Sequence, residues 1–312
     1  MVSVIHAFAV MGTLMVVGFL VGRSRLLGTS GEEVLGKLLF NVVLPALLIT
    51  SLGSTAPSTI FSPLFVVTAL AEISMCVAVF VLYRLCGRAA APSLVAGMIA
   101  TYSNGAFIGI PIATYILGDS TPAVLLIVFQ TAIYAPIALT ILDILTHPPG
   151  GNRRERIGGI VRAPLTNPIV LSSVTGLLIT LLHIPLPGFL LESLGLISQA
   201  AVGIALLYFG ISLANTMFLA SDEVRVGELA RLTVAKSFLQ PACAAGIAVA
   251  LGLDGPAVLA AATMGALPTA QNVFVYSSHY GVTPHVARDA GVTTAVLAFP
   301  VMMVVVALLG AP

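Results

Sequence analysis

Residues 103–111 read Ser103-Asn104-Gly105-Ala106-Phe107-Ile108-Gly109-Ile110-Pro111, and residues 265–272 read Gly265-Ala266-Leu267-Pro268-Thr269-Ala270-Gln271-Asn272. Each run interrupts a long apolar segment, 93–117 and 255–279, with glycine, proline and amide side chains. Proline removes a backbone donor and frees a carbonyl about one turn earlier. Unsatisfied backbone groups are costly in lipid and are tolerated where protein buries them or where they line a wet cavity. The two runs therefore predict a pair of broken membrane helices. Half-helix N-termini attract anions and freed carbonyls attract cations. Ser103, Asn104, Gly105, Pro111, Pro268, Gln271 and Asn272 are the candidate substrate site, with the amides as neutral donors and acceptors. For either break alone, an ordinary proline kink with helix-contact glycines is the competing reading.

The rest of the chain supports a membrane setting. Of its 312 residues 58% are hydrophobic and 8% charged, against about 25% charged in a typical soluble domain. A water-facing surface cannot be built from that. The net charge of +1 supplies no basic stripe for phosphates, so a soluble enzyme, a disordered chain and a nucleic-acid binder are excluded. Three cysteines, Cys76, Cys86 and Cys243, form no CxxC and read as small buried hydrophobes. There is no GxxxxGK[ST], no HExxH and no regular arginine series. The protein is therefore expected not to be an enzyme and to need no cofactor.

A membrane helix takes about 20 mostly apolar residues. Ten such stretches occur: 2–22, 33–52, 61–83, 93–117, 121–145, 166–184, 188–214, 225–250, 255–279 and 285–309. The first has no basic leader and is followed by Arg23 and Arg25, as expected of a retained span rather than a signal peptide. Arg23, Arg25, Arg84, Arg88, Arg153, Arg154, Arg156, Arg162, Arg225 and Arg288 all fall on one side of such a ten-span chain. The opposite loops carry no Lys or Arg. The positive-inside rule puts both termini outside a cytoplasmic membrane. The loop 146–165 leaves five spans in 1–145 and five in 166–312. An odd number per half forces the second half to insert upside down, which is an inverted repeat. The two interrupted segments are the fourth of each half.

Other polar residues lie within the spans. Glu72, near the middle of the third, is costly in lipid and is a candidate for coupling. Lys236, near the middle of the eighth, is a second candidate for coupling, and a structural ion pair between the two is the alternative. Gln130 in the fifth span reads either as part of that site or as an inter-helix hydrogen bond. The only coupling ions expected are H+ or Na+. No fixed cation is evident among the proposed substrate residues, so neutral donors and helix dipoles would have to hold an anion.

Further segments carry a resemblance. The second span reads Leu39-Phe40-Asn41-Val42-Val43-Leu44-Pro45-Ala46-Leu47-Leu48, and the seventh closes with Phe209-Gly210-Ile211-Ser212-Leu213. Together with Asn104-Gly105…Gly109-Ile110-Pro111 and Leu267-Pro268…Asn272-Val273-Phe274, the chain resembles the auxin efflux carrier family in its bacterial branch. The resemblance implies a fold like that of the bile-acid sodium symporters, with scaffold and transport domains, crossing broken helices and elevator-type alternating access. It implies small organic anions such as malonate, malate or auxin-like acids as substrates, and a homodimer. It marks Asn41 and Pro45 as the second-span motif, Asn104 as a substrate ligand, and Glu72 with Gln130 as a supporting polar site, with Glu in place of the Asp of plant members.

The expected function is secondary transport of small carboxylates, with the anion and the bilayer as partners. A sodium-coupled symporter of a bulkier acid is the alternative. A non-transporting membrane sensor is a third reading, for which the sequence leaves no room for a signalling domain.

Overall fold

A computed structural model describes residues 2–28, 30–54, 62–146, 168–215 and 226–310. The cytoplasmic loop expected at 146–165 lies outside the described residues beyond Thr146, as do Arg153, Arg154, Arg156, Arg162 and Arg225. The described residues are helical, with one isolated antiparallel bridge between Ser103 and Thr269.

In chain order the helices are α1 (Val2–Ser24), α2 (Gly31–Gly53), α3 (Pro63–Leu85), α4 (Ala90–Thr101), α5 (Gly105–Leu117) and α6 (121–146). They continue with α7 (Pro168–Leu181), α8 (Gly188–Ala214), α9 (Val226–Ala250), α10 (Gly255–Gly265), α11 (Gln271–His279) and α12 (Pro284–Leu309). By length and composition α2, α3, α8, α9 and α12 can cross a membrane. The segments 93–117 and 255–279 are each divided in two, as their glycines and prolines predict. Asp254 starts α10 by accepting the Ala257 N–H at 3.0 Å, an N-cap ahead of a proline in the first turn.

The chain forms two compact units, and neither is one half of the sequence. The first comprises Met1–Ser62, Gly105–Val128 and Pro164–Thr216. The second comprises Pro63–Asn104, Phe129–Ala163 and Met217–Pro312. Lipid tails are as apolar as leucine, so helices associate through close packing rather than hydrophobic burial. In the first unit α1 and α8 meet backbone to backbone. A Cβ on Gly18 would sit 2.2 Å from the Leu207 carbonyl oxygen, and one on Gly210 would sit 2.1 Å from that of Met15. In the second unit Val67 and Ala71 of α3 pack on Ala244 and Ala248 of α9 and on Val258 and Ala261 of α10. A larger core gathers Met98, Ile99, Tyr102, Phe129, Tyr134 and Leu232.

Five stretches widen from α to π geometry: Leu39–Val43, Gly105–Gly109, Ala113–Leu117, Gln130–Tyr134 and Ala235–Leu239. Four of them end two residues before a proline, namely Pro45, Pro111, Pro136 and Pro241. A helical proline cannot donate and its ring strikes the carbonyl four residues back. In all four cases that carbonyl belongs to the central residue of the widened turn, where the extra residue opens room for the ring.

Candidate substrate and ion site where two broken helices cross

The crossing lies within the second unit. Residues 102–104 leave the end of α4, and residues 266–270 connect α10 to α11. They pair as a minimal antiparallel ladder. The Asn104 N–H donates to the Pro268 carbonyl at 2.8 Å, and the Ala270 N–H donates to the Tyr102 carbonyl at 2.9 Å. Each break thus supplies part of the backbone hydrogen bonding the other has lost, the condition under which a membrane protein tolerates non-helical backbone.

Threonine hydroxyls complete the accounting. Thr269 Oγ1 donates to the Ile99 carbonyl at 2.7 Å, near the end of α4. The Thr269 N–H donates to Thr294 Oγ1 of α12 at 3.1 Å. Thr101 Oγ1 donates to the Gly97 carbonyl at 2.9 Å and lies 2.7 Å from the Tyr134 hydroxyl.

A cation sits at this crossing, where the sequence showed none among the amides. Lys236 of α9 is 0% exposed. Its Nζ donates to the Thr101 carbonyl at 3.0 Å, Ser103 Oγ at 2.6 Å and the Gly265 carbonyl at 3.2 Å. Thr101 and Gly265 are the last residues of α4 and α10, so the ammonium meets the negative ends of two helices. The four-carbon stem of Lys236 is long enough to carry the charge from a neighbouring helix to the crossing.

Glu72 and Lys236 have different hydrogen-bond partners. Glu72, 2% exposed on α3, accepts from Gln130 Nε2 at 2.6 Å through Oε1. Its Oε2 has no partner among the described residues. Tyr102 joins the helix of Gln130 to the ladder. Its hydroxyl donates to the Gln130 carbonyl at 3.4 Å. Its ring stacks on Tyr134 at 5.5 Å and meets Tyr276 edge-on at 6.2 Å.

Among the expected substrate residues, Ser103, Asn104, Pro268, Gln271 and Asn272 belong to the second unit and meet at or beside the ladder. Ser103, Asn104 and Pro268 are buried, Asn272 is half-buried and Gln271 exposed. Gly105 and Pro111 fall in the first unit, where a Cβ on Gly105 would sit 2.9 Å from Ile127 of α6. Asn41 and Pro45 are in the first unit too, and the Asn41 amide serves its own helix by donating to the Lys37 carbonyl at 2.8 Å.

Three features escaped the sequence reading. Tyr102 and Thr269 look like ordinary half-apolar helix residues in sequence. Asp289 of α12 is buried and paired with Arg288 at 2.7 Å; an acid inside an otherwise apolar stretch was its available signal. Gln130 and Lys236 both stand on proline-widened turns, so a polar residue five or six places before an intramembrane proline was a further legible cue.

The family model described as a membrane transport protein matches residues 3–157 and 154–306. The chain belongs to the membrane transport protein family. It is an integral membrane protein and a transporter of that family. It is 25% identical over 298 residues to "Uncharacterized transporter YfdV" of Escherichia coli K12, covering 92% of this chain and 91% of that one. It is 30% identical over 155 residues to "Probable auxin efflux carrier component 1c" of Oryza sativa subsp. japonica, covering 48% of this chain and 26% of the plant protein. "Auxin efflux carrier component 3" of Arabidopsis thaliana is 30% identical over 155 residues, covering 48% of this chain and 24% of the plant protein. In this chain the crossing of α4 with α10 and α11 brings together Ser103, Asn104, Pro268 and Lys236.

Proposed function

We propose that this transporter is a ten-span secondary carrier of small organic anions, mono- or dicarboxylates such as malonate, malate or an auxin-like acid. It resides in the cytoplasmic membrane with both termini outside and works by elevator-type alternating access. The inverted halves 1–145 and 166–312 contribute jointly to a scaffold and to a transport domain that carries the crossing. The observation that carries the reading is the ladder between the two broken helices, which gathers Ser103, Asn104 and Asn272 beside the start of α11. That helix opens at Gln271 behind Ala270, which offers no side-chain cap. Backbone donors at a helix N-terminus with neutral amides beside them suit a carboxylate. Gly105, Pro111 and Pro268 act through the backbone by creating the breaks. The Glu72–Gln130 pair, joined to the ladder through Tyr102, is the proposed route by which a proton is coupled to the anion.

The test is uptake of labelled malonate by proteoliposomes. Asn104→Ala removes an amide from the ladder but no backbone hydrogen bond. Uptake is expected to be lost while thermal stability is retained. Undiminished uptake by that variant removes Asn104 from the site.

A further inference from the structure

We propose that Lys236 is a tethered replacement for a coupling sodium ion, so that the protein needs no sodium because it carries the cation itself. The inference rests on the transporter reading above. An alkylammonium has three donors and no acceptor, and Lys236 Nζ has three oxygen partners at 2.6–3.2 Å. None of the three carries a formal charge. Two are carbonyls at the C-terminal ends of half-helices, and the third is a serine hydroxyl in the unwound segment. Unwound carbonyls and half-helix C-termini are the ligands with which broken-helix transporters hold sodium, and an all-oxygen neutral cage suits a monovalent ion better than a divalent one.

The surroundings fit a cation position. Glu72 holds Gln130 instead of the ammonium, so Lys236 is not one half of a contact ion pair. Gln240, one turn further along α9, packs its backbone on Gly265, where a glycine Cβ would lie 3.2 Å from the Gln240 carbonyl oxygen. Gln240 Oε1 and Thr263 Oγ1 are buried and have no partner among the described residues. Removing the ammonium would take away the side-chain donor of the Gly265 carbonyl and leave the Thr101 carbonyl with the Ser103 hydroxyl at 3.1 Å. A small free cation could then take its place.

The experiment uses purified full-length protein in sodium, methylammonium or choline chloride, reading thermal stability and, after reconstitution, malonate uptake. Wild type is expected to respond to none of the three. Lys236→Ala is expected to unfold about 5 °C lower or more in choline, and sodium or methylammonium should raise its stability saturably. Lys236→Arg keeps the charge and should stay indifferent to sodium. The inference is overturned by a saturable sodium response of wild type or of Lys236→Arg. It is equally overturned if Lys236→Ala matches wild type in choline, or if neither sodium nor methylammonium stabilises it. If Lys236→Ala does not fold, Lys236→Met takes its place with the same outcomes. The thermal readout needs no substrate. Failure of wild type to take up malonate would therefore sink the substrate assignment and leave the cation assignment standing.

Discussion

Gly265→Ala is the sharpest perturbation of the crossing, because its effect can be worked from the geometry. A Cβ at Gly265 would lie 2.9 Å from Pro241 Cα, 3.2 Å from the Pro241 nitrogen and 3.2 Å from the Gln240 carbonyl oxygen. All three neighbours are backbone, so no side chain can swing aside. Reaching ordinary contact near 3.4 Å requires the end of α10 to shift by about 0.5 Å away from α9, since cores deform little before packing is lost. The Gly265 carbonyl moves with it. Its bond to Lys236 Nζ is already the longest of the three at 3.2 Å, and it would stretch past the range of a hydrogen bond. Overpacking costs about 1–3 kcal/mol, and a lost hydrogen bond to a charged group about 1.5–3 kcal/mol. A destabilisation of about 3 kcal/mol follows, worth roughly 6–12 °C in melting temperature. A thiol-reactive dye reports it through Cys76, which is buried in the folded protein, in a background where the exposed Cys86 and half-buried Cys243 are replaced by alanine. Gly246→Ala is the control, since a Cβ there has nothing within 4 Å and alanine favours a helix. A Gly265→Ala protein melting within about 2 °C of wild type would contradict this packing of α10 on α9.

Three further outcomes follow from the contacts described above. Glu72→Gln keeps the shape of the Gln130 contact and removes the titratable group, so the fold should survive while malonate uptake falls. By contrast, Gln130→Ala leaves a buried carboxylate without its donor and should cost about 1–3 kcal/mol in stability, read by the same dye. Gly210→Ala places a methyl 2.1 Å from the Met15 carbonyl oxygen and should lower the melting temperature by several degrees by prying α8 from α1, with wild-type stability contradicting the packing described for the first unit.

Much of the site was legible because lipid makes backbone bookkeeping strict. Ser103, Asn104, Pro268, Gln271 and Asn272 stood out in sequence because glycine, proline and amides in an apolar run have few uses other than a break. Glu72 and Gln130 stood out as polar atoms at depth, and the structure joins them directly. An ion pair between Glu72 and Lys236 was the alternative to a coupling role that two opposite charges left open. It did not account for the carbonyls that two helix ends leave unsatisfied, and these bind the ammonium instead. Tyr102 gave no signal, since an aromatic residue in an apolar run serves equally well as packing or as a hydroxyl bridge.

By itself, the sequence determined the solvent, the helical stretches and the two places where helices break. These depend on local composition, on hydropathy and on proline's missing N–H. Tertiary structure alone decided that the breaks pair with each other through residues 102–104 and 268–270, and that α3, α4 and α9–α12 form one unit with part of α6. It also decided that Lys236 closes the ends of α4 and α10. These contacts join residues more than a hundred positions apart, or reach from one helix to another. Their selection rests on which unsatisfied groups meet in space, and no window of sequence records that.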